Sequence, residues 1–121
     1  FRTSKDIDAA HDLLPEDGSV LSVYQSSKFY WGVFDDDFSP IMHNPMERTG
    51  RQWRDKSELV YVENGAIYLV SSETFKHYRT YRVPPFEACL MPESRSLDLD
   101  EMDDWQRAVA YLPTFLQEQG L

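Results

Sequence analysis

Leu59-Val60-Tyr61-Val62-Glu63-Asn64-Gly65-Ala66-Ile67-Tyr68-Leu69-Val70 sets two apolar runs on either side of Asn64-Gly65. β-Branched and aromatic residues of this kind favour extended backbone. Asn-Gly between such runs marks either a tight hairpin or a bend where backbone approaches a ligand closely, because glycine adopts positive φ without a Cβ penalty. Upstream, Ser19-Val20-Leu21-Ser22-Val23-Tyr24 is a short β-rich run with apolar residues on both faces, as in a sheet covered on both sides. Downstream, Ala88-Cys89-Leu90-Met91 is a candidate edge or partner strand.

Helical signals alternate with these runs. Thr3 and Asp6 are spaced like a capping box, and Ile7, Ala10, His11 and Leu14 follow at helical spacing, which predicts a helix from about residue 4 to 14. Pro15-Glu16-Asp17-Gly18 reads as a turn, Ser71 through Phe75 starts a short helix, and Pro84-Pro85 closes the loop after it. Asp103 through Leu112 is a terminal helix with an acidic first turn, which suits the positive end of the helix dipole. Trp105, Ala108, Val109 and Leu112 are its expected buried stripe, and Pro113 is expected to interrupt it before a last turn through Phe115 and Leu116. Strands alternating with helices predict a layered α/β fold. There is no internal repeat and no low-complexity tract.

From Ser26 to about Ser57 the character changes. Phe29 through Phe34 is an aromatic strand, Asp35-Asp36-Asp37 a turn, and Pro40, Pro45 and Gly50 punctuate an irregular stretch with scattered basic residues. Such an excursion is either a loop packed on its own domain or an arm that buries its aromatics against another subunit.

Near the C-terminus, Arg95-Ser96-Leu97-Asp98-Leu99-Asp100-Glu101 alternates apolar and acidic residues. On a short strand, Asp98 and Asp100 share one side about 7 Å apart. Two carboxylates on one face repel unless they point into water or hold a cation. A hard divalent ion with oxygen ligands, Mg2+ above all, suits a pair that leaves positions open for phosphate. The plain alternative is a solvated strand end leading into a helix.

The chain has 121 residues, 41% hydrophobic and 14% aromatic, enough for one domain with a core. Twelve Lys and Arg against 21 Asp and Glu give a formal charge of −9, which disfavours nucleic acid or an anionic membrane as partner. An anionic substrate would need a local basic pocket or a bound metal. The lone Cys89 has apolar neighbours and reads as a buried thiol, which suits a reducing compartment; a cytoplasmic location is the expectation. No apolar run approaches the ~20 residues of a membrane span, and no signal peptide is read ahead of Phe1. The chain opens without an initiator Met, as a fragment or trimmed chain would.

Three blocks together extend these readings: Arg2-Thr3 opening a helix with Asp6-Ile7-Asp8; Tyr61-Val62-Glu63-Asn64-Gly65-Ala66-Ile67-Tyr68; and Pro92 through Asp100, running into Glu101, Asp104 and Trp105. In their order and spacing the chain resembles the acylneuraminate cytidylyltransferases, the CMP-sialic acid synthetases and their relatives acting on other nine-carbon keto-sugar acids. The central block is similar to the family's Asn-Gly-Ala-Ile-Tyr segment. Ser96-Leu97-Asp98-Leu99-Asp100-Glu101 is similar to its Ser-Ile-Asp-Ile-Asp-Thr-Glu pattern, with the Thr missing. The resemblance covers essentially the whole chain and corresponds to the C-terminal half or so of a full enzyme. The family's Gly-rich segment with Arg and Lys, which wraps the CTP phosphates and cytosine, has no counterpart in these residues.

The resemblance implies the C-terminal part of a three-layer, Rossmann-like nucleotide-diphospho-sugar transferase fold. Residues 1–27 and 59–121 would belong to the cytidylyltransferase domain, and residues 28–58 would form an inserted β-rich dimerisation arm, making a homodimer. It implies transfer of CMP from CTP to a sialic-acid-like nonulosonic acid, with release of pyrophosphate. Asp98 and Asp100 match the Mg2+-binding, catalytic aspartates. Asn64 and Tyr68 match positions near the sugar, and Tyr81 matches an aromatic beside the sugar's acyl arm, with Arg82 where a further aromatic is expected. Arg51 or Arg54 corresponds to a basic residue ahead of the Asn-Gly block. His11, His43 and His77 are read as structural or solvated, and no Ser-His-Asp, zinc-ligand or Walker pattern is present. The rival readings are a non-catalytic oligomerisation or sugar-binding module and a nucleotidyltransferase for another activated sugar.

Overall fold

Thr3 starts the first helix, α1 (Ser4–Leu13), through the reciprocal bonds its sequence predicts. Its Oγ1 accepts from the Asp6 amide at 3.3 Å, and Asp6 Oδ2 accepts from the Thr3 amide at 2.7 Å. The computed structural model describes residues 1–47 and 59–121. After α1 come β1 (Ser19–Ser26), β2 (Tyr30–Phe34), β3 (Asp37–Ile41) and a 3-10 turn at Pro45–Glu47. Next are β4 (Val60–Val70), α2 (Ser72–Tyr78), β5 (Phe86–Leu90), a 3-10 turn at Glu93–Arg95, and α3 (Met102–Glu118). The described residues thus form a mixed α/β protein with three helices, divided into two compact units: Phe1–Tyr24 with Glu63–Leu121, and Gln25–Val62.

The larger unit is built on a sheet ordered β4-β1-β5. β1 lies in the middle, which is why it is apolar on both faces, and it pairs in parallel with β5 from Ser19 opposite Phe86 to Val23 opposite Leu90. At the start of this ladder Ser19 Oγ donates to the Val83 carbonyl at 2.8 Å and accepts from the Val83 amide at 3.1 Å. Gly18 is required there, because a Cβ would fall 2.2 Å from the Pro85 carbonyl oxygen. α1 packs along β5, and Ala10, Val20, Ile67, Cys89 and Met91 form the core with Leu14, Ala66 and Leu69 against them.

Four expectations change. Asn64-Gly65 does not close a hairpin: β4 runs unbroken from Val60 to Val70, with Gly65 at φ +67° absorbing the local twist. Residues 96–99 form no strand, so alternation does not place Asp98 and Asp100; Ser96 is instead tied down by side-chain bonds. Pro113 does not interrupt α3, which continues to Glu118. The buried side of α3 is also turned from the expected one. Ala108 is buried, with Asp104, Tyr111 and Phe115 half-buried on its side, while Trp105 is 57% exposed and Val109 and Leu112 are exposed. Phe1 causes this rotation by setting its ring against Tyr111 at 5.2 Å and Phe115 at 5.0 Å between centroids.

In the smaller unit, β2 and β3 form an antiparallel hairpin in part of the stretch expected to be irregular, with Val33 opposite Phe38 and Trp31 opposite Pro40. Two of the three aspartates expected to turn the chain do so: Asp35 and Asp36 take positive φ between the strands, and Asp37 begins β3.

Candidate functional site

Asn64 sits midway along β4 and is 3% exposed. Its Oδ1 accepts from Ser22 Oγ on β1 and from the Ala66 amide at 3.2 Å. Its Nδ2 donates to Ser96 Oγ at 3.0 Å and to Met91 Sδ at 3.4 Å. Ser22 Oγ also takes the Ile67 amide at 2.8 Å. The amide therefore joins the middle strand, the bend in β4 and the segment after β5, and its own polar atoms are occupied in doing so. Ser96 closes the arrangement by donating to the Pro92 carbonyl at 2.7 Å.

This network brings the two sequence blocks into contact. A Cβ at Gly65 would lie 3.0 Å from Asp98 Oδ2, so the carboxylate rests against the glycine's open side. Both the positive φ and the close approach need glycine here. Asp98 and Asp100 are exposed, and among the described residues neither carboxylate is engaged in a hydrogen bond or ion pair. Asp104 orients the junction with α3, its Oδ2 accepting from the Asp100 amide at 3.2 Å and the Glu101 amide at 3.0 Å.

The same segment is anchored from behind. Arg95 forks onto Asp6, with Nη2 donating to Oδ1 at 3.0 Å and Nη1 to Oδ2, and Nη1 also reaches the Phe1 carbonyl at 3.1 Å. The Arg95 hydrogen bonds hold the Asp6 carboxyl down to about 2, with smaller help from Thr3, and they raise Arg95 in turn.

A cavity of about 260 Å³ is lined by Ser19, Leu21, Glu63, Tyr68, Tyr81, Arg82 and Phe86. Tyr68 and Tyr81 meet at 5.0 Å between ring centroids, the Arg82 guanidinium stands 5.0 Å from the Tyr81 centroid, and Tyr68 Oη donates to Glu63 Oε2 at 2.9 Å. The bond to the Glu63 carboxylate pushes the Tyr68 phenol up. A second concavity, about 390 Å³, is lined by Arg2, Ile7 and Gly65 through Leu69, so Tyr68 borders both. Tyr68 and Tyr81 share the first cavity, Asp98 meets Gly65 at the edge of the second concavity, and Asn64 is buried and lines neither. Arg51 and Arg54 lie outside the described residues. Phe86 had no motif to mark it, Glu63 lay inside the central block without a role assigned to it, and Arg82 stood out only as a departure from a motif.

Among the described residues no group of three or more His, Cys, Asp or Glu is placed to hold a metal. Asp98 and Asp100 are exposed carboxylates two residues apart, and Mg2+ takes as few as one or two carboxylates, its other positions going to water and phosphate oxygens. The histidines stand apart: His11 is exposed, His43 packs on Phe29 and Trp31, and His77 packs on Tyr78. No helix among the described residues is long and apolar enough to cross a membrane. Compared with known proteins, the chain matches no protein-family model, and no curated protein matches it.

Proposed function

We propose that the chain is the C-terminal part of a cytidylyltransferase that transfers CMP from CTP to a sialic-acid-like nonulosonic acid, releasing pyrophosphate. In this reading the larger unit belongs to a three-layer, Rossmann-like transferase domain, and residues 28–58 dimerise. The observation that carries it is the meeting of two blocks far apart in sequence: Asp98 against Gly65, and Ser96 bonded to Asn64. Both blocks are the ones similar to cytidylyltransferase motifs, and Tyr68 of the first block walls a cavity with Tyr81.

The roles follow from the chemistry of each group. Asp98 and Asp100 would hold Mg2+, which when bound supplies positive charge to phosphoryl oxygens as their own charge grows. Asn64 fixes the β4 bend and Ser96, two residues before Asp98, so the backbone that carries this carboxylate is anchored beside Gly65. Tyr68 and Tyr81 supply flat apolar walls for an acyl arm, with the Tyr68 hydroxyl fixed by Glu63. The deciding experiment is release of pyrophosphate from CTP with Mg2+ and a panel of nonulosonic acids, using the full protein that carries this chain. Turnover that falls about 100-fold in Asp100→Ala, with an unchanged circular dichroism spectrum, supports the assignment. Unchanged turnover in that variant removes the metal role, and no release with any sugar overturns the reading.

A further inference from the structure

We infer that Asp104 is a positioning residue for the Asp98–Asp100 pair: it sets the place of Asp100 by holding that residue's backbone, and it does not itself take the ion. This rests on the reading above, in which the pair holds Mg2+. Mg2+ accepts little departure from octahedral geometry, so two carboxylates serve one ion only when their spacing is fixed. A strand would fix it through its ladder, but residues 96–99 form none. Side-chain bonds at the two ends of the segment do so instead. Asn64 Nδ2 holds Ser96 Oγ at 3.0 Å at one end, and Asp104 Oδ2 holds the Asp100 amide at 3.2 Å at the other.

Asp104 is suited to holding rather than to ligation. Its side chain is 22% exposed, and both oxygens face donors of the chain itself. Oδ2 accepts from the Glu101 amide at 3.0 Å as well as from Asp100, and Oδ1 stands 3.9 Å from Arg107 Nη1. Asp104 also sits in the first turn of α3, where the positive end of the helix dipole stabilises its charge. Asp98 and Asp100 differ: both are exposed, and among the described residues neither carboxylate has a donor. The amide that Asp104 holds belongs to the same Cα as the Asp100 carboxylate. Losing the tether therefore frees one carboxylate of the pair, while Asp98 stays anchored through Ser96.

The test titrates the full protein that carries this chain with Mn2+, a paramagnetic stand-in for Mg2+, and reads the free ion by electron paramagnetic resonance. Binding that Asp100→Ala abolishes is binding at this pair. Asp104→Ala is expected to weaken it about tenfold and to raise the Mg2+ concentration for half-maximal pyrophosphate release by a similar factor, with KM for the sugar unchanged. Asp104→Asn keeps an oxygen for the two amides and is expected to bind Mn2+ as wild type does. Asp103→Ala removes an equal charge from the same helix turn without touching the Asp100 amide, and wild-type affinity is expected there too. If Asp104→Ala loses its helical signal in circular dichroism, Asp104→Ser takes its place and is read in the same way. Wild-type affinity in the alanine variant overturns the inference. So does a loss in Asp104→Asn as deep as alanine's, which would make Asp104 a ligand, or an equal loss in Asp103→Ala, which would assign the effect to helix charge. A wild-type protein that neither binds Mn2+ at this pair nor releases pyrophosphate is a different result: it overturns the transferase reading and the positioning role with it.

Discussion

Asp6 joins two duties, capping α1 and receiving Arg95, and its carboxyl loses its proton far more readily in the fold than in the open chain. The ordinary value is 3.8 and the folded one about 2, so the unfolded chain takes up a proton at a pH where the native state still refuses it. The pair therefore stabilises fully above about pH 4, weakens between pH 4 and 2, and contributes nothing below; the shift corresponds to about 2 kcal/mol. Asp6→Asn keeps an oxygen for Thr3 and loses the charge. Urea unfolding is expected to place this variant about 2 kcal/mol below wild type at pH 7, with the gap closing as the pH approaches 2. A gap independent of pH would assign the loss to packing. Gly65 offers a second measurement. Alanine there adopts φ +67° at a cost of about 1–2 kcal/mol and crowds Asp98 as well. Asp98→Ala in the same chain removes the crowding, so the double variant is expected to unfold at higher urea than additivity allows; strict additivity would mean that the carboxylate does not rest on the glycine.

α3 demonstrates how far a hydrophobic stripe leads and where it stops. Its sequence offers the expected stripe Trp105, Ala108, Val109 and Leu112, of which Ala108 is buried, and a second set at helical spacing, Asp104-Ala108-Tyr111-Phe115. The second set is turned inward: Asp104 caps the helix start locally, and Phe1 packs on Tyr111 and Phe115 over a separation that no local window contains. Ala108→Leu is accordingly expected to destabilise by about 1–3 kcal/mol through overpacking, whereas Trp105→Gln changes stability by less than about 0.5 kcal/mol. Thermal or urea unfolding of the two variants separates these registers, and the opposite ranking would restore the stripe read from periodicity. The same division explains the rest of the chain. Thr3-Asp6 capping, the two-sided burial of β1 and the Asp35-Asp36 turn were legible because each is decided within a few residues. Asn64-Gly65 was ambiguous because its outcome depends on Ser22, Met91 and Ser96, whose hydrogen bonds carry the strand through the bend. Of the candidate site, the motif residues Asn64, Tyr68, Tyr81 and Asp98 were singled out in advance, while Phe86 joins Tyr68 and Tyr81 in one cavity only after the sheet has formed.

The β2-β3 hairpin bears on the assembly the proposed function requires. Register places Trp31 opposite Pro40 and Val33 opposite Phe38, so these four residues share one face of a two-stranded ribbon. Val33 is 60% exposed and Phe38 77%, and Met46 beyond the ribbon is exposed as well. A hairpin of two strands is marginal in water by itself, and an exposed apolar face of this kind is suited to association. In the transferase reading the partner is a second copy of the chain. Symmetry then sets the same ribbon face of each protomer into the contact, so one substitution strikes the interface twice. Phe38→Lys introduces a charge at the centre of the face and leaves the backbone ladder intact. Sedimentation is expected to find a dimer for the wild-type protein and a monomer for this variant, with an unchanged helical signal in circular dichroism. Lys5→Glu, on α1 in the other unit, is the control and is expected to remain dimeric. A wild-type protein that sediments as a monomer at concentrations well above micromolar would remove the dimer, and a Phe38→Lys dimer as tight as wild type would move the interface off the ribbon.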